Sequence, residues 1–242
     1  MSVWYCIPSK RPPNEANACL EAWQQAGYNV AIIREPADGK LDVAIQLDTQ
    51  AYLGWPRSVN LLVAVVMATD SHAEWFVTGG DDYFPDQNKT ADEIAGECGE
   101  YFANLHGQNY GNDSFGVMQP TGDRWGERHG EAIIDRIAGS PWMGREFCRR
   151  MYHGGGPLYP GYHHNFADEE LQNVAQKLGV FWQRRDLVQE HRHWARPRGD
   201  WADAPEWALA INHPIHSDWE PSKALFAKRK AAGFPGSEPL EL

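Results

Sequence analysis

The chain has 242 residues, 42% apolar and 23% charged, with 22 Lys and Arg against 33 Asp and Glu for a net charge of −11. Such a length suits one large domain or two small ones, and the acidity excludes a uniformly basic nucleic-acid binder while leaving room for a locally basic groove. The longest strongly apolar run, Leu61 to Ala68, is far shorter than the roughly 20 residues that span a bilayer, and Met1 to Ser9 has no basic start followed by a long apolar stretch. A soluble, unsecreted protein of the cytoplasm is expected, without a membrane partner. Cys6, Cys19, Cys98 and Cys148 form no CxxC pair, which points to reduced core residues.

In chain order, Val3 to Ile7 reads as a short strand closed by Pro8, and Asn14 to Ala26 as a helix stopped by Gly27. Val30 to Ile33 and Val43 to Leu47 are short runs rich in branched residues, which suit buried parallel strands. Pro56 fits the first turn of a helix through Val59 to Ala68, apolar on nearly all sides. Glu74 to Thr78 is the next strand, so strands alternate with helices as in an α/β layer with a mainly parallel sheet.

Beyond Asp82 the composition turns acidic, with seven acids against one Lys between Asp81 and Glu100, and Ala91 to Leu105 reads as a solvated helix. Ser114 to Gln119 and Arg136 to Ser140 are further strand candidates, and Arg145 to Tyr152 a short helix. Four Gly, two Pro and three His mark His153 to Asn165 as a loop. Asp168 to Leu178 resumes as a helix with Gly179 as its stop, Leu187 to Trp194 reads as a strand, and a helix closes the chain around Pro221 to Ala232. No polar linker divides the chain. A single domain is expected, with a nucleotide-binding half at 1–86, an acceptor-binding half at 87–195 and a C-terminal tail and helix at 196–242.

The sharpest chemical feature is Thr78-Gly79-Gly80-Asp81-Asp82. An apolar strand running into two carboxylates places them at the carboxyl edge of a sheet, where open α/β folds bind ligands. Hard carboxylate oxygens suit Mg²⁺ or Mn²⁺ bridging a diphosphate, although a simple turn would explain the same residues. His191 and His193, two apart on a strand, face one side, and one imidazole could join Asp82 on such an ion. Asp168 and Glu169 open a helix, where acids serve as dipole partners or, at a cleft, as a general base.

Pro8-Ser9-Lys10-Arg11 follows the first strand, so its cations fall on the same edge as the acids and could hold phosphates. Trp55, Arg57 and Asn60 surround the next helix start, placed to read a nucleobase or sugar or simply to pack. Arg145, Arg149, Arg150, Arg184, Arg185, Arg192, Arg196 and Arg198 would form a cationic track for an anionic acceptor if folded onto one face.

Taken in order, these segments resemble the nucleotide-sugar-dependent glycosyltransferases of the GT-A fold, including small forms from bacteriophages and bacteria. The resemblance spans about Trp4 to His193. In it Pro8 to Arg11 is similar to the first nucleotide-binding loop and Trp75 to Asp82 to the DxD-type metal strand. Ala138 to Met143 resembles the segment lining the sugar pocket, Asp168-Glu169 the position of the acceptor-activating acid, and the His191/His193 strand the late metal-binding histidine. One departure is visible, since the first acid of the aspartate triplet is here Gly80. The resemblance therefore implies direct metal contact at Asp82 and a ribose or water-mediated role for Asp81, with Gly80 beside the nucleotide.

It further implies a Rossmann-like α/β fold, a Mn²⁺ or Mg²⁺ cofactor, a nucleotide-sugar donor more often of the uridine diphosphate type, and a hydroxyl acceptor. Phage-like relatives suggest the 5-hydroxymethylpyrimidines of modified DNA as that acceptor. Two other readings of the same residues stay open: a metal-dependent nucleotidyltransferase or phosphohydrolase, and a non-catalytic nucleotide-sugar binding module.

Overall fold

The computed structural model describes residues 1–106, 114–193 and 217–241. Along the chain run β1 (Ser2–Pro8), α1 (Pro13–Gln25), β2 (Asn29–Arg34), β3 (Ile45–Asp48), α2 (Trp55–Thr69), β4 (Ala73–Val77) and β5 (Tyr83–Phe84). There follow α3 (Ala91–His106), β6 (Val117–Pro120), β7 (Trp142–Gly144), α4 (Arg145–Arg150), α5 (Ala167–Lys177), β8 (Phe181–Arg184), β9 (Glu190–His191) and α6 (Trp219–Ala231). Seven strands form one sheet in the order β3-β2-β1-β4-β7-β6-β8, and β5 pairs with β9 in a separate ribbon. Only β7 runs against its neighbours β4 and β6; the other pairings in the large sheet are parallel. The fold is thus the single-domain, mainly parallel, Rossmann-like α/β sheet that the sequence predicts, and its sheet takes strands from both 1–86 and 87–195.

Alternation along the strands divides the core into two layers. Trp4 and Cys6 of β1 and Phe76 of β4 face a cluster with Val59, Val63 and Val66 of α2 and Leu171 and Val174 of α5. Val3, Tyr5 and Ile7, with Trp75 and Val77, face the other way onto Leu20 and Trp23 of α1 and Ile94 and Phe102 of α3. All four cysteines are buried and free. Among the described residues no helix is long and apolar enough to cross a membrane.

Several expectations need correction. Ala91 to Leu105 is a helix but not a solvated one, because Ala91, Ile94, Ala95, Cys98 and Phe102 form a fully buried stripe at helical spacing behind its acidic outer face. On α2, by contrast, Leu61 reaches solvent, so that helix is not apolar-packed all round. Arg136 to Ser140 is not a strand. A 3₁₀ turn at Ile133–Asp135 precedes it, and extended pairing begins only after Pro141, at Trp142. Leu187 to Trp194 shrinks to Glu190–His191, because side chains replace the ladder: Asp86 takes the Val188 N–H, and Gln189 reaches the Ser140 carbonyl. Trp194 lies outside the described residues. The strand that does extend the sheet here is β8, which pairs with β6 from Val117↔Phe181 to Pro120↔Arg184.

The C-terminal helix is fastened to the body by a buried ion pair. Glu170 of α5 is fully buried and accepts bonds from Arg229 of α6 at 2.7 Å and from the hydroxyls of Tyr152 and Tyr162 at 2.9 and 2.8 Å. Removing one partner of such a pair strands the other charge in the interior. Glu170→Ala is expected to lower the unfolding free energy by about 3–5 kcal/mol in a denaturant titration, and a loss below ~1 kcal/mol would show that Arg229 finds water instead.

Candidate functional site

Because every strand of the large sheet but β7 shares one direction, the sheet has a single carboxyl edge, and the segments that leave it meet there. Ser9 to Arg11 follow β1, Thr78 to Asp82 follow β4, and Thr121 to Asp123 follow β6. A helix that precedes a parallel strand starts on the same edge, which puts the first turns of α2 and α5 beside these loops.

The two acids are held in different ways. Asp81 accepts a bond from the Ser9 hydroxyl at 2.8 Å and from Arg11 Nε at 2.7 Å. Asp82 receives Arg11 Nη2 on Oδ2 at 3.0 Å, while its Oδ1 lies 3.4 Å from His191 Nε2. Burial raises the Asp81 carboxyl above its ordinary range even with Arg11 and Ser9 opposing it. Burial acts the same way on Asp82, but the His191 imidazole, with Arg11 behind it, prevails and holds that carboxyl below its ordinary range. Asp82 is therefore the more firmly ionised of the two.

The sequence brings His191 to Asp82 through the β5–β9 ribbon. Tyr83, the residue after Asp82, stands opposite His191 in register, and their rings stack at 4.0 Å. The Arg192 N–H donates to the Asp82 carbonyl at 2.8 Å, and the His191 N–H to the Asp123 carboxylate at 2.8 Å. His193 lies with its ring centroid 5.1 Å from that of His191 and stacks on Trp125 at 5.5 Å. Burial and the neighbouring His191 push its imidazole down to about 4, so it is neutral at physiological pH.

Of the other candidates, Lys10 is exposed on the turn and Pro8 ends β1. The Gly80 carbonyl accepts the Tyr5 hydroxyl at 2.6 Å. Trp55, Arg57 and Asn60 act as braces. Trp55 Nε1 donates to the Gly79 carbonyl at 3.2 Å, Arg57 Nε to Pro160 at 2.9 Å, and the buried Asn60 amide bonds both ways with the Leu158 backbone. Gly54 makes the first of these contacts accessible: its φ is +91°, and a Cβ there would lie 2.5 Å from the His163 carbonyl, which accepts the Trp55 N–H. Gly79 is thereby linked through Trp55 and His163 to the loop that leads into α5.

At that helix start, Asp168 accepts the Glu169 N–H at 2.9 Å. Asp168 is half-buried, and burial raises its carboxyl above the ordinary value of 3.8. Glu169 is raised too, by burial and then by the charge of Asp168. The Ala138 to Met143 segment comes close to Gly79 and Tyr83, which flank the acids. A Cβ on Gly139 would come 2.9 Å from the Tyr83 hydroxyl, and one on Gly79 3.3 Å from Ser140 Oγ.

Among the described residues the arginines follow the default expectation of dispersed charge rather than a cationic track. Arg145 donates to the carbonyls of Asp70, Ala73 and Met67, Arg149 pairs with Glu146, and Arg150 donates to the Leu240 carbonyl. Arg184 pairs with Glu97 and Asp186, Arg185 approaches Asp135, and Arg192 pairs with Glu190. These guanidinium groups are engaged by acids or carbonyls of the chain itself, while Arg196 and Arg198 lie outside the described residues. Sequence reasoning missed Asp86, Asp123 and Trp125, which arrange the histidine strand. Lone acids and a Trp in loops carry no spacing signal that ties them to a segment some 65 to 100 residues later.

A divalent ion is the group the resemblance implies, and the donor set can be tested for it. Asp82 Oδ1 and His191 Nε2 converge closely enough to grip one ion, a hard oxygen with a borderline nitrogen, as Mn²⁺ accepts. Among the described residues no three His, Cys, Asp or Glu side chains are grouped to hold an ion alone. The residues fit as part of a coordination shell that diphosphate oxygens would complete.

No family model matches the chain, and no curated protein matches it. Among solved structures, it is similar to a Drosophila β-1,4-galactosyltransferase 7 mutant in complex with manganese, UDP-Gal and xylobiose, with a TM-score of 0.44 and 12% identity over 89% of this chain and 79% of that one. A likeness this distant leaves the functional reading to the chain's own residues.

The Asp123 bond makes one structural expectation. Asp123→Ala should accelerate amide hydrogen exchange at His191 by about tenfold, the equivalent of one lost hydrogen bond. Unchanged exchange would mean that the Asp123 bond does not hold the ribbon.

Proposed function

We propose that the chain is a metal-dependent glycosyltransferase, which moves a sugar from a nucleoside diphosphate sugar, of the uridine type, to a hydroxyl acceptor. The observation that carries this reading is the meeting of Asp82 and His191 at the carboxyl edge, beside the cationic Ser9 to Arg11 turn. Asp82 and His191 would hold Mn²⁺ or Mg²⁺, which when bound neutralises charge on the departing diphosphate. Lys10 and Arg11 add cationic charge on the same side, where a leaving group is stabilised without reorganisation of water. Asp81, tied to Ser9 and Arg11, orients that turn and lies within reach of a ribose. The Gly139 and Ser140 segment closes the sugar side.

Asp168 serves as the base that takes the acceptor proton, in an inverting transfer. Its raised carboxyl is a better proton acceptor than an ordinary aspartate, and its place at the start of α5 is fixed through His163, Trp55 and Gly79. Glu169, with Lys230 and Arg136 charges nearby, is the less suited of the two. The narrower acceptor, a hydroxymethylated pyrimidine in DNA, gains no support from the described arginines, which are engaged with internal acids and carbonyls.

Two outcomes test the reading, with labelled UDP-sugar as donor and product analysis as readout. Asp82→Ala should retain its fold and lose about 10²–10³-fold in transfer; undiminished transfer rejects the assignment. Asp168→Asn should lower kcat about 10²–10⁴-fold and leave donor affinity unchanged. Its sign with pH also follows, because a base works only when deprotonated. Wild-type activity should rise with pH through a limb set above 3.8, and that limb should vanish in the variant. Free phosphate or a nucleotidyl adduct as product would instead establish phosphoryl chemistry.

A further inference from the structure

The Arg11 guanidinium spans both acids at once. Nε meets Asp81 Oδ1 at 2.7 Å and Nη2 meets Asp82 Oδ2 at 3.0 Å, so one planar fork joins two neighbouring carboxylates. Asp82 turns its other oxygen toward His191. A divalent ion gripped by Asp82 and His191 would therefore sit beside a fixed positive charge on the same carboxylate. Two cations at such separation repel, and in a half-buried site the repulsion is poorly screened.

The surroundings let the fork leave without disturbing the turn. The Arg11 carbonyl accepts a bond from the buried Arg34 Nη2 at 2.9 Å, which holds the backbone, whereas the Arg11 side chain is 32% exposed. Ser9 stays on Asp81 at 2.8 Å and keeps that acid bonded when the guanidinium departs. Arg also matches phosphate oxygens with the same bidentate geometry it uses on carboxylates.

On the reading that this site binds a metal and a nucleoside diphosphate, we propose that Arg11 is the resident counter-cation of the Asp81–Asp82 pair and competes with the divalent ion. A diphosphate that draws the guanidinium onto its own oxygens then raises the site's affinity for the ion. By reciprocity the ion, in releasing Arg11, raises affinity for the diphosphate. The arrangement keeps the free protein a weak metal binder and makes metal and donor arrive together.

The test is a Mn²⁺ titration without nucleotide, followed by the electron paramagnetic resonance of free Mn²⁺, on wild type, Arg11→Gln and Arg11→Lys. Arg11→Gln removes the competing charge and should bind Mn²⁺ about tenfold more tightly than wild type, within the usual range of coupling between sites. Arg11→Lys, a point charge that cannot span both acids, should fall between them, and it serves as the probe if Arg11→Gln does not fold. Equal or weaker Mn²⁺ binding by the variants overturns the proposal. A parallel titration with UDP separates the two layers of the argument. If wild type takes up Mn²⁺ with UDP beyond what UDP alone chelates, but the variants gain nothing without it, Arg11 competition alone is wrong. If no protein takes up Mn²⁺ in either condition, the metal reading falls and the competition falls with it.

Discussion

Two adjacent carboxylates cannot be sequestered at the edge of a sheet without countercharge, and the geometry around Asp81 and Asp82 is the response to that constraint. Stripping water from an ionised acid costs several kcal/mol unless hydrogen bonds and opposite charge replace it. Here the replacements arrive from two distant parts of the chain, Ser9 and Arg11 after β1 and His191 from β9, while Tyr5 and Trp55 pin the Gly79–Gly80 backbone that leads to the acids. The partition is unequal. Asp81 is tied to the turn after β1, and Asp82 shares its carboxylate between a permanent cation and an imidazole. That inequality is what suits one acid to anchor the turn and the other to the metal role proposed for it.

Fold and site are connected through direction. A sheet whose strands run together collects its outgoing loops on one edge, and the crossover helices return their first turns to it. The single reversed strand, β7, delivers Gly139 and Ser140 to that same edge from its amino end, which a parallel strand in its place would not do. Further out, Asp86 and Asp123 hold the approach to β9 by backbone N–H groups rather than by a continued ladder. A two-residue strand can thus position the His191 imidazole beside Asp82 because side chains carry the rest of its register.

The first half of the fold was legible from sequence because its signals are local. Branched apolar runs, Pro8 closing the first strand and Gly27 stopping the first helix report on the residues that carry them. The acids at the end of β4 were legible for the same reason, as was the His191/His193 spacing. What escaped depends on partners far along the chain. The acidic outer face of α3 hid a buried stripe, and Arg136 to Ser140 follows a 3₁₀ turn, with strand pairing beginning only at Trp142. Asn60 and Trp55 resembled ligand-reading residues, yet their polar atoms are engaged by Leu158 and Gly79, contacts that no window of sequence contains.

Whether Asp82 and His191 act together on one ion is the central claim, and anomalous scattering addresses it without recourse to activity. Crystals grown with Mn²⁺ and UDP should show a single manganese peak within coordinating distance of Asp82 Oδ1 and His191 Nε2, with phosphate oxygens completing its shell. A nucleotide bound with its manganese away from both residues, or on Asp81 alone, would contradict the account.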